Sequence, residues 1–133
     1  MIISIIIPTF NSEKTISSCI SSILNQTYSN IEILICDDFS EDNTIKEINK
    51  IKDNRIKLIR NDINKGVVYT RNILISESQG DIISLLDSDD TIHPDRCKLI
   101  KDCFKQNPSL NICSSNFNIL YENKIVRKSD LPL

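Results

Sequence analysis

The sequence predicts a three-layer α/β/α protein, in which helices cover both faces of a mostly parallel sheet. Isoleucine-rich runs typical of strands alternate along the chain with segments whose apolar residues recur at helical spacing. Residues 2–7 are apolar on both faces, as expected for a strand that helices cover on either side. Strands that alternate with helices predict parallel pairing through right-handed crossovers. A length of 133 residues predicts one domain, residues 1–133.

The first half of the chain predicts three strands and two helices. Residues 2–7 form a strand that Pro8 ends, because proline has no N–H to donate to the ladder. A helix follows, for which Asn11 or Ser12 can act as the cap. Its apolar stripe has the spacing of one helical face and consists of Ile16, Cys19, Ile20, Ile23 and Leu24. The next predicted elements are a strand at 31–36, a helix around 45–51 and a strand at 56–59.

The second half predicts two helices on either side of a strand. A helix over 67–78 ends before Gly80, and the apolar run 82–86 predicts a buried, central strand. Pro94 is predicted at the first position of the fourth helix, which Asn107-Pro108 ends. The remaining predictions are a strand over residues 110–121, a turn at 122–124 that joins it to residues 125–127, and a frayed end at 129–133.

Composition and charge argue against several classes of partner. A net charge of −2 gives no case for nucleic acid or for an anionic membrane surface. The apolar run at 2–7 is too short to span a bilayer and lacks the features of a signal peptide. The five cysteines form no C-x-x-C pair and lie in apolar segments, so we predict small buried side chains in a reducing cytoplasm.

Three carboxylates lie in residues 87–90, here called the acidic segment, directly after the fourth strand. Because side chains alternate along an extended strand, Asp87 and Asp89 can point the same way. Two carboxylates 4 Å apart repel by roughly 4 kcal/mol at an effective dielectric near 20. Water, an arginine, a protonated carboxyl or a divalent cation could offset this repulsion, and Mg²⁺ or Mn²⁺ prefers such oxygen ligands. The alternative interpretation is a solvated turn that caps the next helix.

A second acidic pair, Asp37-Asp38, follows the second strand. In open α/β sheets, ligands bind outside the carboxyl ends of the strands. We therefore expect a site at one edge of the sheet, where Gly66 permits an unusual backbone angle or a close approach. The alternative is that Asp37 and Asp38 cap the following helix. The segments expected at this edge are residues 8–11, 37–38, 61–66 and 87–90.

Several short motifs occur in a fixed order along the chain. They are Pro8-Thr9-Phe10-Asn11; Gln26-Thr27-Tyr28; Asp37-Asp38-Phe39-Ser40-Glu41-Asp42-Asn43-Thr44; Asn64-Lys65-Gly66 with Thr70-Arg71-Asn72; and Asp87-Ser88-Asp89-Asp90 with Pro94. Together they resemble the N-terminal half of family 2 glycosyltransferases, which have the GT-A fold. Thr70 stands where that family usually has alanine. The order and spacing over about 90 residues make the resemblance specific.

The resemblance implies a site for a nucleotide sugar. Thr9 would line the base pocket, Asp38 would accept a hydrogen bond from the base, typically uracil, and Asp37 would support that loop or reach the nucleotide. Asp87 would contact the ribose or the sugar. Arg71 would hold the donor or the acidic segment, whereas the residues alone also allow it to pair with Asp81 or Glu77. The implied nucleotide-sugar ligands are Pro8, Thr9, Asn11, Asp37, Asp38, Gly66, Arg71, Asp87 and Ser88, and the implied metal ligand is Asp89.

The implied activity is inverting, metal-dependent transfer of a sugar from a donor, typically a UDP-sugar, to a glycan or lipid-linked acceptor. Mg²⁺ or Mn²⁺ would be the cofactor. Inverting transfer needs a general base, which this family carries well downstream of the acidic segment. No later acidic motif fits, so the base stays unassigned and we expect a truncated, donor-binding half. We expect it in the cytoplasm or at the inner face of the membrane, and an exposed sheet edge would favour a homodimer.

Two other functions are compatible with a doubly wound acidic protein. A receiver-like signalling module would need an acidic pair after the first strand and an aspartate after the third. The chain has Pro8 and Arg60-Asn61 at those places. A nucleotidyltransferase that makes sugar nucleotides would carry a glycine-rich basic loop after the first strand. The segment at 8–11 has neither glycine nor a cluster of positive charges.

Overall fold

The computed structural model describes residues 1–122 and 124–128, and its main element is a four-stranded parallel sheet of order β3-β2-β1-β4. The predicted α/β architecture with a mostly parallel sheet is confirmed. The strands of this sheet are β1 (Ile3–Thr9), β2 (Ile31–Asp37), β3 (Ile56–Arg60) and β4 (Ile82–Leu85). The helices are α1 (Ile16–Leu24), α2 (Thr44–Lys50), α3 (Val67–Glu77) and α4 (Arg96–Gln106). A separate antiparallel hairpin consists of β5 (Asn118–Tyr121) and β6 (Lys124–Lys128).

The chain divides into two compact units, Met1–Lys101 and Asp102–Leu133. The first contains the parallel sheet, and the second contains the hairpin. The prediction of a single domain stays a prediction. The predicted hairpin is confirmed, but its first strand is confined to four residues, and residues 110–117 form no strand. The expected fraying at 129–133 lies outside the described residues.

The strand order places the helices on two sides of the sheet. The connections through α1 and α2 step from β1 to β2 to β3, whereas the connection through α3 returns past them to β4. Right-handed crossovers therefore put α1 and α2 on one face and α3 on the other. On the α3 face, Leu74 packs with Ile6, Leu34 and Cys36. Each buried aliphatic side chain contributes roughly 1.5–3 kcal/mol to folding.

Pro8 does not end β1, so that prediction is wrong. Pro8 pairs with Cys36 and Thr9 pairs with Asp37. Along a strand the backbone groups of alternate residues face opposite neighbours, and the carbonyl of Ile6 faces β4, where it accepts from Leu86 N at 3.1 Å. Pro8 has the parity of Ile6, and β4 has already ended at that level. Its missing N–H therefore costs no ladder hydrogen bond.

Strand β4 is neither central nor buried on both faces, which corrects the prediction from its apolar run. Within the described residues it pairs only with β1 and forms an edge of the sheet. Ile82 and Ser84 are buried, whereas Ile83 is 41% and Leu85 is 55% exposed. An apolar run does not by itself reveal how many layers cover a strand.

Three smaller predictions also need correction. Helix α4 begins at Arg96, because Pro94 lies in the turn before it. No side-chain cap is found on α1, where the carbonyl of Ser12 accepts from Ile16 N at 3.0 Å instead. Cys113 is exposed rather than buried, since its segment is not the predicted strand.

Gly80 lies where the connection from α3 to β4 passes against β1. A Cβ atom there would be 2.8 Å from Ser4 N and 2.9 Å from Ile2 O, and backbone atoms cannot move aside as a flexible side chain can. We expect Gly80→Ala to lower the free energy of unfolding by roughly 2–3 kcal/mol, as overpacking does. Urea denaturation measures this. Gln79→Ala, an exposed neighbour, is the control, and equal unfolding midpoints for the two variants would contradict the expected clash.

Candidate functional site

The carboxyl ends of the four parallel strands lie along one side of the sheet, which is the edge meant in this subsection and is distinct from the edge strand β4. The predicted site residues follow the strands at this edge. The loop after β1 joins both sides of this edge. Asn11 N donates to Ser40 Oγ at 2.9 Å, and the hydroxyls of Ser12 and Ser88 lie 2.8 Å apart. The loops that carry Asp38 and Asp89 are therefore both tied to the loop after β1.

A cavity of about 300 Å³ opens at this edge. Its lining residues are Pro8, Thr9, Phe10, Asp38, Asn64, Gly66, Val67 and Thr70. Four of these, Pro8, Thr9, Asp38 and Gly66, were predicted as ligands of the nucleotide sugar. The others were missed, although Asn64 and Thr70 flank Gly66 in the motif that carries it. This cavity is called the Asp38 pocket below.

Asp38 organises the loop between β3 and α3. Its carboxylate accepts from Asn61 Nδ2 at 2.7 Å and from the backbone N–H groups of Lys65 and Gly66, both at 2.8 Å. Burial alone would raise the pKa of this carboxyl, but the hydrogen bonds, first that from Lys65, lower it below its ordinary value of 3.8. The chain therefore uses Asp38 in its charged form, with Gly66 at φ +82°, to shape the wall of the Asp38 pocket.

Asp37 is fully buried and holds the loop after β2. Its Oδ2 accepts from Ser40 N at 3.0 Å and lies 3.2 Å from Arg60 Nε. Neither Asp37 nor Asp38 caps α2, whose N-cap residue is Asn43 and whose first N–H, that of Thr44, donates to Asp42 Oδ1 at 2.9 Å. The alternative interpretation of the acidic pair as a helix cap is therefore wrong.

Asn11 is not among the residues that line the Asp38 pocket. Its amide oxygen accepts from Glu41 N at 2.9 Å, and its backbone lies in the left-handed region at φ +49°. Asparagine tolerates that conformation better than most residues. In this structure Asn11 joins two loops.

The acidic segment forms a turn, in which Asp90 N donates to Asp87 O at 3.1 Å. Strand alternation therefore does not apply to Asp87 and Asp89, because β4 ends at Leu85. Asp87 Oδ1 accepts from Arg71 Nη2 at 2.7 Å, so Arg71 binds the acidic segment and neither Asp81 nor Glu77.

Negative charge is concentrated around the acidic segment. Burial, Asp89 and Asp87 raise the pKa of Asp90, and Arg96 lowers it in part. Burial and the same three carboxylates raise the pKa of the Cys19 thiol beneath the turn to about 12. This donor set suits a hard cation. Within the described residues, no three or more of the metal-ligating side chains are placed so that they could hold one metal ion together, so protein carboxylates would supply one or two ligands and phosphates or water the rest.

Unsatisfied polar atoms collect at the same edge. Within the described residues, three buried side-chain atoms lack a hydrogen-bond partner: Thr9 Oγ1, Asp37 Oδ1 and Arg71 Nε. All three belong to residues predicted to bind the nucleotide sugar. Because buried polar groups are nearly always paired in proteins, unpaired ones often indicate a place where a ligand or water completes the site.

A second hollow, of about 500 Å³, lies beside α2. Its lining residues are Ser40, Asp42, Asn43, Ile45, Lys46, Asn49, Lys50 and Arg60. Although it is larger, neither Asp38 nor the acidic segment reaches it. The Asp38 pocket is therefore the candidate site. None of the described helices combines the length and the apolar character needed to span a bilayer.

Comparison with known proteins gives a consistent family match. The family model described as "Glycosyl transferase family 2" matches residues 4–132. The chain is 39% identical over 131 residues to the Escherichia coli UDP-Glc:alpha-D-GlcNAc-diphosphoundecaprenol beta-1,3-glucosyltransferase WfgD. The aligned region covers 98% of this chain and 51% of WfgD. It is 49% identical over 89 residues to the E. coli enzyme of the same description, WfaP, across 67% of this chain and 36% of WfaP. The chain therefore spans about half the length of WfgD and just over a third of the length of WfaP.

The fold is similar to a solved structure that contains a nucleotide sugar. The crystal structure of Staphylococcus aureus TarS 1–349 in complex with UDP-GlcNAc superposes with a TM-score of 0.76 at 28% identity. The match covers 81% of this chain and 32% of the TarS chain.

Proposed function

Since this chain belongs to glycosyl transferase family 2, we propose that it is the donor-binding part of an enzyme that transfers a sugar from a UDP-sugar to a lipid-linked glycan. The proposal includes Mg²⁺ or Mn²⁺ and an inverting course. The acceptor is suggested by the names of WfgD and WfaP, which act on a diphosphoundecaprenol-linked sugar. Such an acceptor would place the enzyme in the cytoplasm at the inner face of the membrane.

The Asp38 pocket is the observation that carries this proposal. Asp38 Oδ2 accepts one backbone hydrogen bond, from Gly66, and so retains acceptor capacity. The imide N–H of uracil is a donor, and a charged carboxylate is a strong acceptor for it. Phe10 and Val67, which are 47% and 49% exposed, offer apolar surface at the rim of the pocket for a planar base. The unpaired hydroxyl of Thr9 is a further group that a nucleotide could satisfy.

The acidic segment would hold the diphosphate end of the donor. Asp89 is exposed and would ligate the cation, while Asp87, held by Arg71, would face the ribose or the sugar. When bound, the cation would neutralise charge on the diphosphate leaving group. The residues of this chain contribute position and electrostatics, because the loops that carry them are tied to one another before the donor arrives. The general base is not assigned to any residue.

Titration of UDP into the protein by calorimetry, with and without Mn²⁺, tests the proposal. We expect UDP to bind, and Mn²⁺ to raise its affinity by about tenfold or more, because the cation bridges carboxylate and diphosphate. CDP is the matched control. It carries the same diphosphate, but cytosine has an acceptor where uracil has the imide donor, so we expect about tenfold weaker binding. Absence of UDP binding, or of any Mn²⁺ effect on it, would contradict the proposal.

A further inference from the structure

We infer that Gln26 is a positioning residue that holds the start of α4, and with it Arg96, in place beside the acidic segment. This inference rests on the proposed function, because its consequence is for binding of the metal-diphosphate end of the donor. Gln26 lies two residues after the end of α1 and is 8% exposed. It is distant in sequence from every residue that it holds except Ser22.

The side chain of Gln26 is hydrogen-bonded at both ends. Its Oε1 accepts from Cys97 N at 2.9 Å. Its Nε2 donates to His93 O at 2.8 Å and to Ser22 O at 3.2 Å. A side chain of either smaller size or different polarity would leave part of this set unpaired.

The contact with Cys97 acts as a helix cap supplied from another segment. Cys97 is the second residue of α4, and the first N–H groups of a helix have no partner within it. Pro94 and Asp95 form the turn before the helix, and Gln26 grips this turn on both sides through His93 and Cys97. Thr27 N adds a hydrogen bond to Pro94 O at 2.9 Å.

Arg96 links this gripped turn to the acidic segment. Its Nη1 donates to Ser84 Oγ on β4 at 2.8 Å, and its positive charge acts on Asp90. Arg96 directly precedes Cys97, whose backbone N–H donates to Gln26 Oε1. A shift at Cys97 would therefore move the arginine that faces the acidic segment.

Two side chains of α1 contact the segment between Asp87 and Cys97 at further points. Ser22 Oγ accepts from Ile92 N at 3.1 Å, and Cys19 Sγ lies 3.6 Å from Asp87 O. Cys19, Ser22 and Gln26 follow one another at intervals of three and four residues. The segment from Asp87 to Cys97 is therefore hydrogen-bonded to α1 through Cys19 and Ser22, and to Gln26 just after the end of α1.

Gln26→Ala tests the inference through two affinities of the same protein for UDP. The Asp38 pocket is built from other elements, so we expect UDP affinity without metal to stay within about twofold of wild type. The gain in affinity on adding Mn²⁺ should fall by about tenfold, because the acidic segment loses its fixed position. Gly80→Ala is the matched control, since it destabilises the protein at the amino-terminal ends of β1 and β4, away from the acidic segment, and should leave the Mn²⁺ gain unchanged.

Gln26→Glu keeps the size of the side chain and the acceptor for Cys97 but turns an acceptor toward His93 O. It serves if the alanine variant does not fold, and the Mn²⁺ gain should again be reduced. If both Gln26 variants keep the wild-type gain in UDP affinity on adding Mn²⁺, this inference is overturned and the proposed function is not. Equal losses with and without metal would also overturn it, because they indicate a merely structural role. A wild-type protein without any Mn²⁺ gain would overturn the proposed function and this inference together.

Discussion

Replacing Asp38 by alanine should lower UDP affinity by roughly 100-fold or more and the free energy of unfolding by about 2–4 kcal/mol. The substitution removes the acceptor for Asn61 Nδ2 and for the N–H groups of Lys65 and Gly66. Asn61 is buried, so its amide cannot turn to water without opening the loop. The wall of the Asp38 pocket would then be lost together with the acceptor proposed for the base. Calorimetry and urea denaturation measure the two effects.

Asp62→Ala is the matched control for this prediction. Asp62 is a carboxylate of the same loop, but it is exposed and pairs with the side chain of Lys65 at 2.7 Å. We expect its loss to change UDP affinity by less than about twofold, as is usual for exposed ion pairs. If Asp38→Ala binds UDP as well as Asp62→Ala does, Asp38 has no role in the pocket.

The pH dependence of stability should report the same carboxylate. Hydrogen bonds lower the pKa of Asp38 in the folded state below 3.8, so the folded protein holds this proton less tightly than the unfolded chain. The stabilisation that charged Asp38 gives to the folded state is therefore complete at pH values above the unfolded-state pKa of about 3.8, and it is lost as the pH falls through the lowered pKa of the folded state. The difference in unfolding free energy between wild type and Asp38→Asn should be constant near neutrality and shrink in strong acid.

Replacing Asp89 by asparagine should remove the gain in UDP affinity that Mn²⁺ provides, about tenfold or more, and leave UDP affinity without metal unchanged. The amide keeps the shape of the side chain but loses the charge that a hard cation prefers. Because Asp89 is exposed and raises the pKa of Asp90 by repulsion, its neutralisation should not destabilise the fold. Calorimetry with and without Mn²⁺ separates the two affinities.

Asp81→Asn is the control that matches the charge change of Asp89→Asn. Asp81 lies at the amino-terminal ends of β4 and β1, away from the acidic segment, and its carboxylate accepts from Ile2 N at 2.7 Å. We expect Asp81→Asn to keep the full Mn²⁺ gain. An equal loss of the Mn²⁺ gain in both variants would show that net charge, rather than a ligand at Asp89, governs the metal effect, and a full gain in both would show that Asp89 is not a metal ligand.

Much of the fold could be predicted because its signals are local. The isoleucine runs of β1 and β2 and the helical stripe of α1 are periodic within a few residues, and periodicity reflects which faces a segment buries. The order of strands and helices then led to the parallel sheet and to the edge where Asp38 and the acidic segment lie. The motifs that resemble family 2 added the expected substrate class.

Predictions that depended on which segments lie next to each other in the folded structure were less successful. Pro8 continues β1 because β4 has already ended beside it, and β4 is half exposed because it lies at an edge of the described sheet. Strand alternation did not describe Asp87 and Asp89, because the chain turns there. Gln26 was visible only as part of a motif, since its partners His93 and Cys97 lie about 70 residues away.

From the sequence alone came the class of fold, the edge of the sheet that carries the polar residues, and the choice of Asp38 and Asp89 as candidates. The tertiary structure alone decided what these residues touch: Asp38 holds the loop from Asn61 to Gly66, Arg71 pairs with Asp87, and Gln26 supports the start of α4. The physical reason is the range of the interactions. Periodicity and turn chemistry act over a few residues, whereas hydrogen-bond partners and burial are set by segments that meet only when the chain has folded.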